Sequence, residues 1–329
     1  MDQMLARWSE AFAHPVTVWI VLTVVGALLA GTIIIGALSL ARLIGPTLRN
    51  ELWLRLGSWG VLAPLIIAPV LVGRVWTIAA VTALGLVCLR EYDRATGLFR
   101  ERLVCLVVVL GILAENFAAL DHWYNFFVAL MPLTVGLIAI ASIPLDQPRG
   151  YIQRVALAIF AFFLFGAGLA HLGYMANDRN YRPIVLLLIL AVGCNDVFAY
   201  TVGKTVGGPK LLPSTSPNKT VSGSLGALVL TTALVMALAQ PIFAGTALDT
   251  IARLLGLGLI VSISGQFGDL MLSSIKRDLG IKDMGTTIPG HGGILDRFNS
   301  LLLVAPAAFH YIGYFVGFGL DQPMRRYIG

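Results

Sequence analysis

Charge is scarce in this sequence: Asp, Glu, Lys and Arg make up 12% of 329 residues, about half the share of an ordinary soluble domain. A water-soluble globular fold is thereby excluded. Cysteine is equally sparse. Cys88, Cys105 and Cys194 each sit inside an apolar run without metal-ligand spacing, which fits small reduced core residues and excludes a disulfide framework or a zinc site. Strict alternation of polar and apolar residues is missing, so barrel strands are excluded and helices remain as the spanning form. No low-complexity tract or internal repeat occurs. The net charge of +6 and pI near 9.4 come from basic residues scattered between apolar runs, which fits topogenic charge and argues against a nucleic-acid partner.

What the chain does have is apolar length. Hydrophobic residues make up 57%, the mean hydropathy is +0.85, and long apolar runs recur at 16–40, 53–73, 75–89, 103–120, 123–145, 155–176, 182–202, 223–243, 249–272 and 300–320. Since about 20 such residues span a bilayer, the pattern predicts an all-α polytopic membrane protein of about ten transmembrane helices. The first run is too long for a signal-peptide core and is read as the first span. With ten spans, sixteen of the 23 Lys and Arg residues fall in one set of connections. The tendency of basic loops to stay cytoplasmic puts that set in the cytoplasm and both termini outside.

Two cytoplasmic connections, 203–222 and 273–299, differ from the rest in their dense mixture of Gly, Pro, Ser, Thr, Lys and Asp, the composition of backbone held in special turns beside a polar ligand. They divide the chain into 1–190, N-terminal transmembrane helices rich in Gly and Ala that allow close packing, and 191–329, the expected catalytic region. If a helix runs through 268–278, Asp269, Ser273, Lys276 and Arg277 share one face. An aspartate in an apolar span is a functional candidate, because burying its charge is costly. Beyond it, glycines around His291 allow positive φ, so that backbone N–H groups can converge on an anion, and Asp296 and Arg297 pair a metal ligand with a phosphate partner. Mg²⁺ prefers carboxylates and phosphate oxygens, which makes Asp269 and Asp296 its expected clamp. Glu115-Asn116, His14, His122, His171 and the aromatics Phe160, Phe162, Phe163 and Phe165 are read as interfacial or packing residues.

Ser273-Ser274-Ile275-Lys276-Arg277, Lys282-Asp283, Pro289-Gly290-His291-Gly292-Gly293 and Asp296-Arg297 resemble the C-terminal signature of the phosphatidate cytidylyltransferases, or CDP-diacylglycerol synthases. Asp196-Val197-Phe198-Ala199-Tyr200, Gly203-Lys204 and Ser214 to Thr220 are similar to that family as well, and Arg90-Glu91-Tyr92 extends the likeness towards the N-terminus. The resemblance implies transfer of CMP from CTP to phosphatidate, with release of pyrophosphate, Mg²⁺ as cofactor, and a homodimer in a bacterial cell membrane whose site faces the cytoplasm. Its metal carboxylates fall on Asp269 and Asp296. Asn299 stands where a third carboxylate is usual and is carried as a weaker ligand. Ser222 and Leu272 also replace acidic residues of the family pattern. Catalytic candidates are therefore Asp269, Asp296, Lys276, Arg277, Lys282, Asp283 and Arg297. Substrate-binding candidates are Asp196, Tyr200, Ser216, Lys219, Thr220, Ser273, His291, Gly292 and Gly293. A CTP-dependent lipid or polyprenol kinase would share nucleotide loops but transfer the terminal phosphoryl group, and a transporter or non-catalytic paralogue would retain only the fold.

Overall fold

A computed structural model describes residues 10–144, 146–290 and 292–328. Ten helices among them are long and apolar enough to cross a bilayer: α1 (Pro15–Leu40), α2 (Pro46–Val72), α3 (Arg74–Thr96), α4 (Arg102–Asp121), α5 (Tyr124–Ala141), α6 (Tyr151–Met175), α7 (Tyr181–Val206), α8 (Val221–Ile242), α9 (Ile251–Asp278) and α10 (Leu295–Phe315). The ten apolar runs of the sequence map onto them one for one. Their ends carry recognisable signals. Pro15 and Pro46 open α1 and α2, where the missing N–H costs nothing. Thr220 and Thr250 cap α8 and α9 by accepting from the Gly223 and Arg253 N–H groups, each such cap contributing about 1 kcal/mol.

Helix α6 forms the centre of the bundle, with 67% of its apolar window buried, whereas α1 lies at the periphery with 11%. The middle of α6, Phe162–Gly168, is π-helical, and there Phe162 and Phe165 are buried while Phe163 is exposed. Glu115 and Asn116 are enclosed in the bundle. His171 packs among Phe127, Phe309 and His310, and His14 caps α1 by accepting from the Val16 N–H.

In the C-terminal half, buried Asn195 of α7 accepts from the Thr231 hydroxyl of α8 at 2.9 Å and the Ser262 hydroxyl of α9 at 2.8 Å. This knot fixes three helices relative to one another at a depth where unpaired polar groups are expensive. The connection from α7 to α8 folds as a small antiparallel hairpin of β1 (Lys210–Leu212) and β2 (Ser216–Thr220). The connection from α9 to α10 lies at the same end of the bundle. It touches the first half of α2 through the Ser58 hydroxyl, which donates to Pro289 O at 2.9 Å, and the last third of α3 through Glu91.

Candidate active site

Helix α9 is unbroken from Ile251 to Asp278, so Asp269 stands about two turns before the helix end, as the spacing predicts. Its Oδ2 meets Lys219 Nζ of β2 at 2.5 Å, and its Oδ1 accepts from Asn299 Nδ2 at 2.6 Å. Three separate elements thus meet at one carboxylate. The approach of Asn299 depends on Gly268: a Cβ there would lie 2.7 Å from Asn299 O and 2.9 Å from Ser300 Cα. Asp196 of α7 shares this electrostatic environment, repelled by Asp269 and attracted by Lys219 and Arg297.

Asp296 has other company. Its Oδ2 accepts from the Met284 N–H at 2.9 Å and the Gly293 N–H at 3.0 Å; its Oδ1 pairs with Lys276 Nζ at 2.8 Å, with both side chains largely buried. The loop is folded around this carboxylate. The expectation of an anion-binding nest therefore needs correction. The N–H groups of the Gly-rich segment converge, but on the protein's own acids: Gly293 on Asp296, and Ile294 and Leu295 on Glu91 at 3.0 and 2.8 Å. The Thr287 hydroxyl adds a 2.6 Å bond to Glu91. Gly290 and Gly292 do take positive φ, +75° and +82°, and Ile288 N–H to Gly292 O at 2.8 Å closes the turn between them. His291 lies outside the described residues.

The remaining candidates separate into two groups. Lys276 is committed to Asp296, and Arg277 donates to Thr215 O and Ile281 O, both at 3.3 Å, tying the two connections together. Thr220 is a helix cap whose hydroxyl oxygen also lies 3.1 Å from Ser222 Oγ. Tyr200 is exposed beside Lys204 on its own helix. By contrast, Lys282 and Asp283 are exposed on the loop and Arg297 in the first turn of α10, with Ser216 of β2, Ser273 of α9 and Gly292 partly so. These are the groups open to a ligand from the aqueous side.

Glu91 is the residue whose structural role the reading of motifs underrated. It is only 6% exposed, and nothing near it in sequence announces a partner 196 to 204 residues away. The signal was a charge at the end of an apolar run. Replacing Glu91 by Ala strands three donors, each costing about 1–3 kcal/mol when buried. Replacement by Gln keeps a single acceptor and adds donors where donors already converge. We expect both variants to lose turnover and thermal stability together, with Ala the more severe, and limited proteolysis should reveal cleavage between residues 285 and 295. A loop as resistant as in the unaltered protein would show that Glu91 does not anchor it.

Among the described residues, no three His, Cys, Asp or Glu side chains form a ready-made metal cluster. Mg²⁺ rarely requires one, because it retains waters and binds through one or two carboxylates plus substrate phosphates. Of the two expected carboxylates, Asp269 is the more accessible, its side chain 21% exposed against 2% for Asp296, and Asp296 already serves a lysine and two backbone donors.

The profile of the cytidylyltransferase family matches residues 53–315. A phosphatidate cytidylyltransferase of Bacillus subtilis is 33% identical over 270 residues, covering 78% of this chain and 96% of the relative. One from Staphylococcus aureus is 38% identical over 173 residues, 52% of this chain and 65% of the relative. An uncharacterized protein of Escherichia coli is 31% identical over 275 residues, covering 82% and 87%.

Proposed function

This chain belongs to the cytidylyltransferase family, and from that premise we propose that it transfers CMP from CTP to phosphatidate, yielding CDP-diacylglycerol and pyrophosphate. It is a multi-pass membrane enzyme of the nucleotidyltransferase class. The observation that carries the specific reading is the meeting of Asp269, Lys219 and Asn299 from three elements, at the end of the bundle that holds the basic loops. A lipid phosphate anchored in the bilayer and a polyanionic nucleotide from water can both reach such a boundary. The excess of Lys and Arg in the connections at this end supports a cytoplasmic orientation in a bacterial cell membrane, and a homodimer belongs to the same reading.

In the proposed reaction, an ionised phosphate oxygen of phosphatidate attacks the α-phosphorus of CTP. The new phosphoanhydride bond forms as the bond to the β-phosphate oxygen breaks, and pyrophosphate leaves. No general base is needed, because the attacking phosphate is already ionised near neutral pH. Asp269 would hold Mg²⁺, with the Asn299 amide as a neutral neighbour and the charge of Asp196 adding to the negative field there. Bound there, the cation would neutralise charge on the phosphates and polarise the reacting phosphoryl group. Lys219 would exchange its pairing with Asp269 for a phosphate oxygen. Lys282 on the loop and Arg297 in the first turn of α10 offer further exposed cationic contacts. Lys276, Asp296 and Glu91 hold that loop in shape, which confers the preorganisation on which electrostatic stabilisation depends.

Purified protein given radiolabelled CTP, Mg²⁺ and phosphatidate in mixed micelles should form a cytidine-bearing lipid and release pyrophosphate in equal amounts. Release of CDP with phosphorylation of a lipid acceptor would instead assign a kinase. Failure to consume CTP with any lipid phosphate would leave only the family fold.

A further inference from the structure

Outside the catalytic connections, the same end of the bundle carries charges that nothing else in the protein uses. Arg90 and Arg94 stand one turn apart near the end of α3, both exposed. Among the described residues, neither guanidinium has a hydrogen bond or an ion pair. The two arginines edge a cavity between α3 and α4, with Leu86 and Val109 as apolar lining and the half-exposed Phe99 at its side. The carboxylate of Asp93 belongs to the same wall. One of its oxygens has no hydrogen-bond partner, and the other has only the weak Sγ–H donor of Cys105 at 3.7 Å.

Topogenic charge requires basic residues near the end of a span and nothing more. It requires neither a cavity between two helices nor a carboxylate that lacks a strong donor. Two guanidinium groups four residues apart suit the oxygens of a phosphate, and basic pockets between transmembrane helices at the cytoplasmic border suit lipid headgroups. Leu86 precedes Arg94 by eight residues of helix, about 12 Å, so the cavity passes from a charged rim to an apolar interior as a phospholipid does. Two cations and one carboxylate leave a single positive charge. That balance matches a phosphodiester monoanion better than the monoester of phosphatidate, which ionises further. Asp93 calls for a donor, which a hydroxyl in the headgroup supplies.

We propose that this cavity is an accessory site for a phosphodiester lipid with a hydroxyl-bearing headgroup, the chemistry of phosphatidylglycerol. Arg90 and Arg94 hold the phosphate, Asp93 accepts from a headgroup hydroxyl, and Leu86 and Val109 face the first methylenes of an acyl chain. The site shares no residue with the one around Asp269 and takes no part in the reaction. Arg90 adjoins Glu91, whose carboxylate holds Thr287, Ile294 and Leu295. A lipid bound to Arg90 and Arg94 therefore braces the stretch of α3 to which the catalytic loop is tied.

The test titrates delipidated protein, followed by native mass spectrometry, with palmitoyl-oleoyl phosphatidylglycerol and with phosphatidylcholine and phosphatidate of the same chains. Phosphatidylglycerol should bind about tenfold more tightly than phosphatidylcholine, and the double variant Arg90→Gln, Arg94→Gln should lose that advantage. Asp93→Ala should weaken phosphatidylglycerol severalfold and leave phosphatidate unchanged. Arg100→Gln with Arg102→Gln removes two charges from the same border outside the cavity and should leave the preference intact. Equal loss in the two double variants would reduce the effect to surface charge and overturn the site, as would an unchanged preference in the first. Loss of phosphatidate binding alone would give the arginines to the substrate instead. Glycerophosphoglycerol, the headgroup without chains, should fail to compete; full competition would make this a site for a soluble phosphodiester. The unaltered protein offers a check free of any folding defect. Phosphatidylglycerol with a photoreactive headgroup should crosslink to residues 90–105 more than phosphatidylcholine bearing the same group, and equal crosslinking would defeat the assignment.

Discussion

Exchanging Asp269 for Asn should lower turnover of CTP and phosphatidate by about a hundredfold to a thousandfold, the range seen when one preorganised electrostatic group is removed from an active site. The substitution keeps the size of the side chain and one acceptor oxygen, and because the Lys219 and Asp269 side chains are 20% and 21% exposed, water can take up the donor left unmatched and the fold has little reason to change. What disappears is the negative charge opposite Lys219 and beside Asp196, the charge on which the proposed cation site is built. Insertion into membranes and the thermal unfolding midpoint should stay close to those of the unaltered protein. The Mg²⁺ concentration giving half-maximal rate should rise. A variant that turns over at nearly the original rate would remove Asp269 from the chemistry.

The Asp296→Asn variant should behave differently, although both aspartates belong to one sequence signature. At Asp296 every direction is occupied by a donor: Lys276 on one oxygen, the Met284 and Gly293 N–H groups on the other. An amide offers one acceptor oxygen and one NH₂, so whichever way it turns, a donor faces a donor. Leaving a buried charge without its partner costs about 3–5 kcal/mol. Turnover and unfolding midpoint should therefore fall together. Adding Lys276→Met should recover part of the midpoint, because the amide NH₂ can then face a neutral side chain. An Asp296→Asn protein as stable as the parent would contradict the role of this carboxylate as the centre of the loop.

The difference between these two residues marks how far the sequence could be read. The ten spans were legible because burial in lipid demands long apolar runs and nothing else in the chain mimics them. The unbroken helix through Asp269 agrees with its polar spacing, whereas Thr220, read from the sequence as a substrate contact, caps α8. Partners were not legible. Asp269 and Asp296 are the same residue type and equally close to glycine-rich sequence, yet one faces a lysine from another loop and the other collects N–H groups from its own. Backbone donors carry no signature in a sequence, so a segment whose amides turn inward looks the same as one whose amides await a substrate. Glu91 was hidden for a further reason: its partners were set by the packing of α3 against the last connection, not by any local pattern.

The attachment of Glu91 to Thr287, Ile294 and Leu295 also has a bearing on biosynthesis. The acid emerges from the ribosome 196 residues ahead of the first of its partners, so no nascent chain can complete this catalytic end until α9 has been made. Partial products would carry an unmatched carboxylate at the membrane border, a ready cue for the machinery that retains or degrades unfinished membrane proteins.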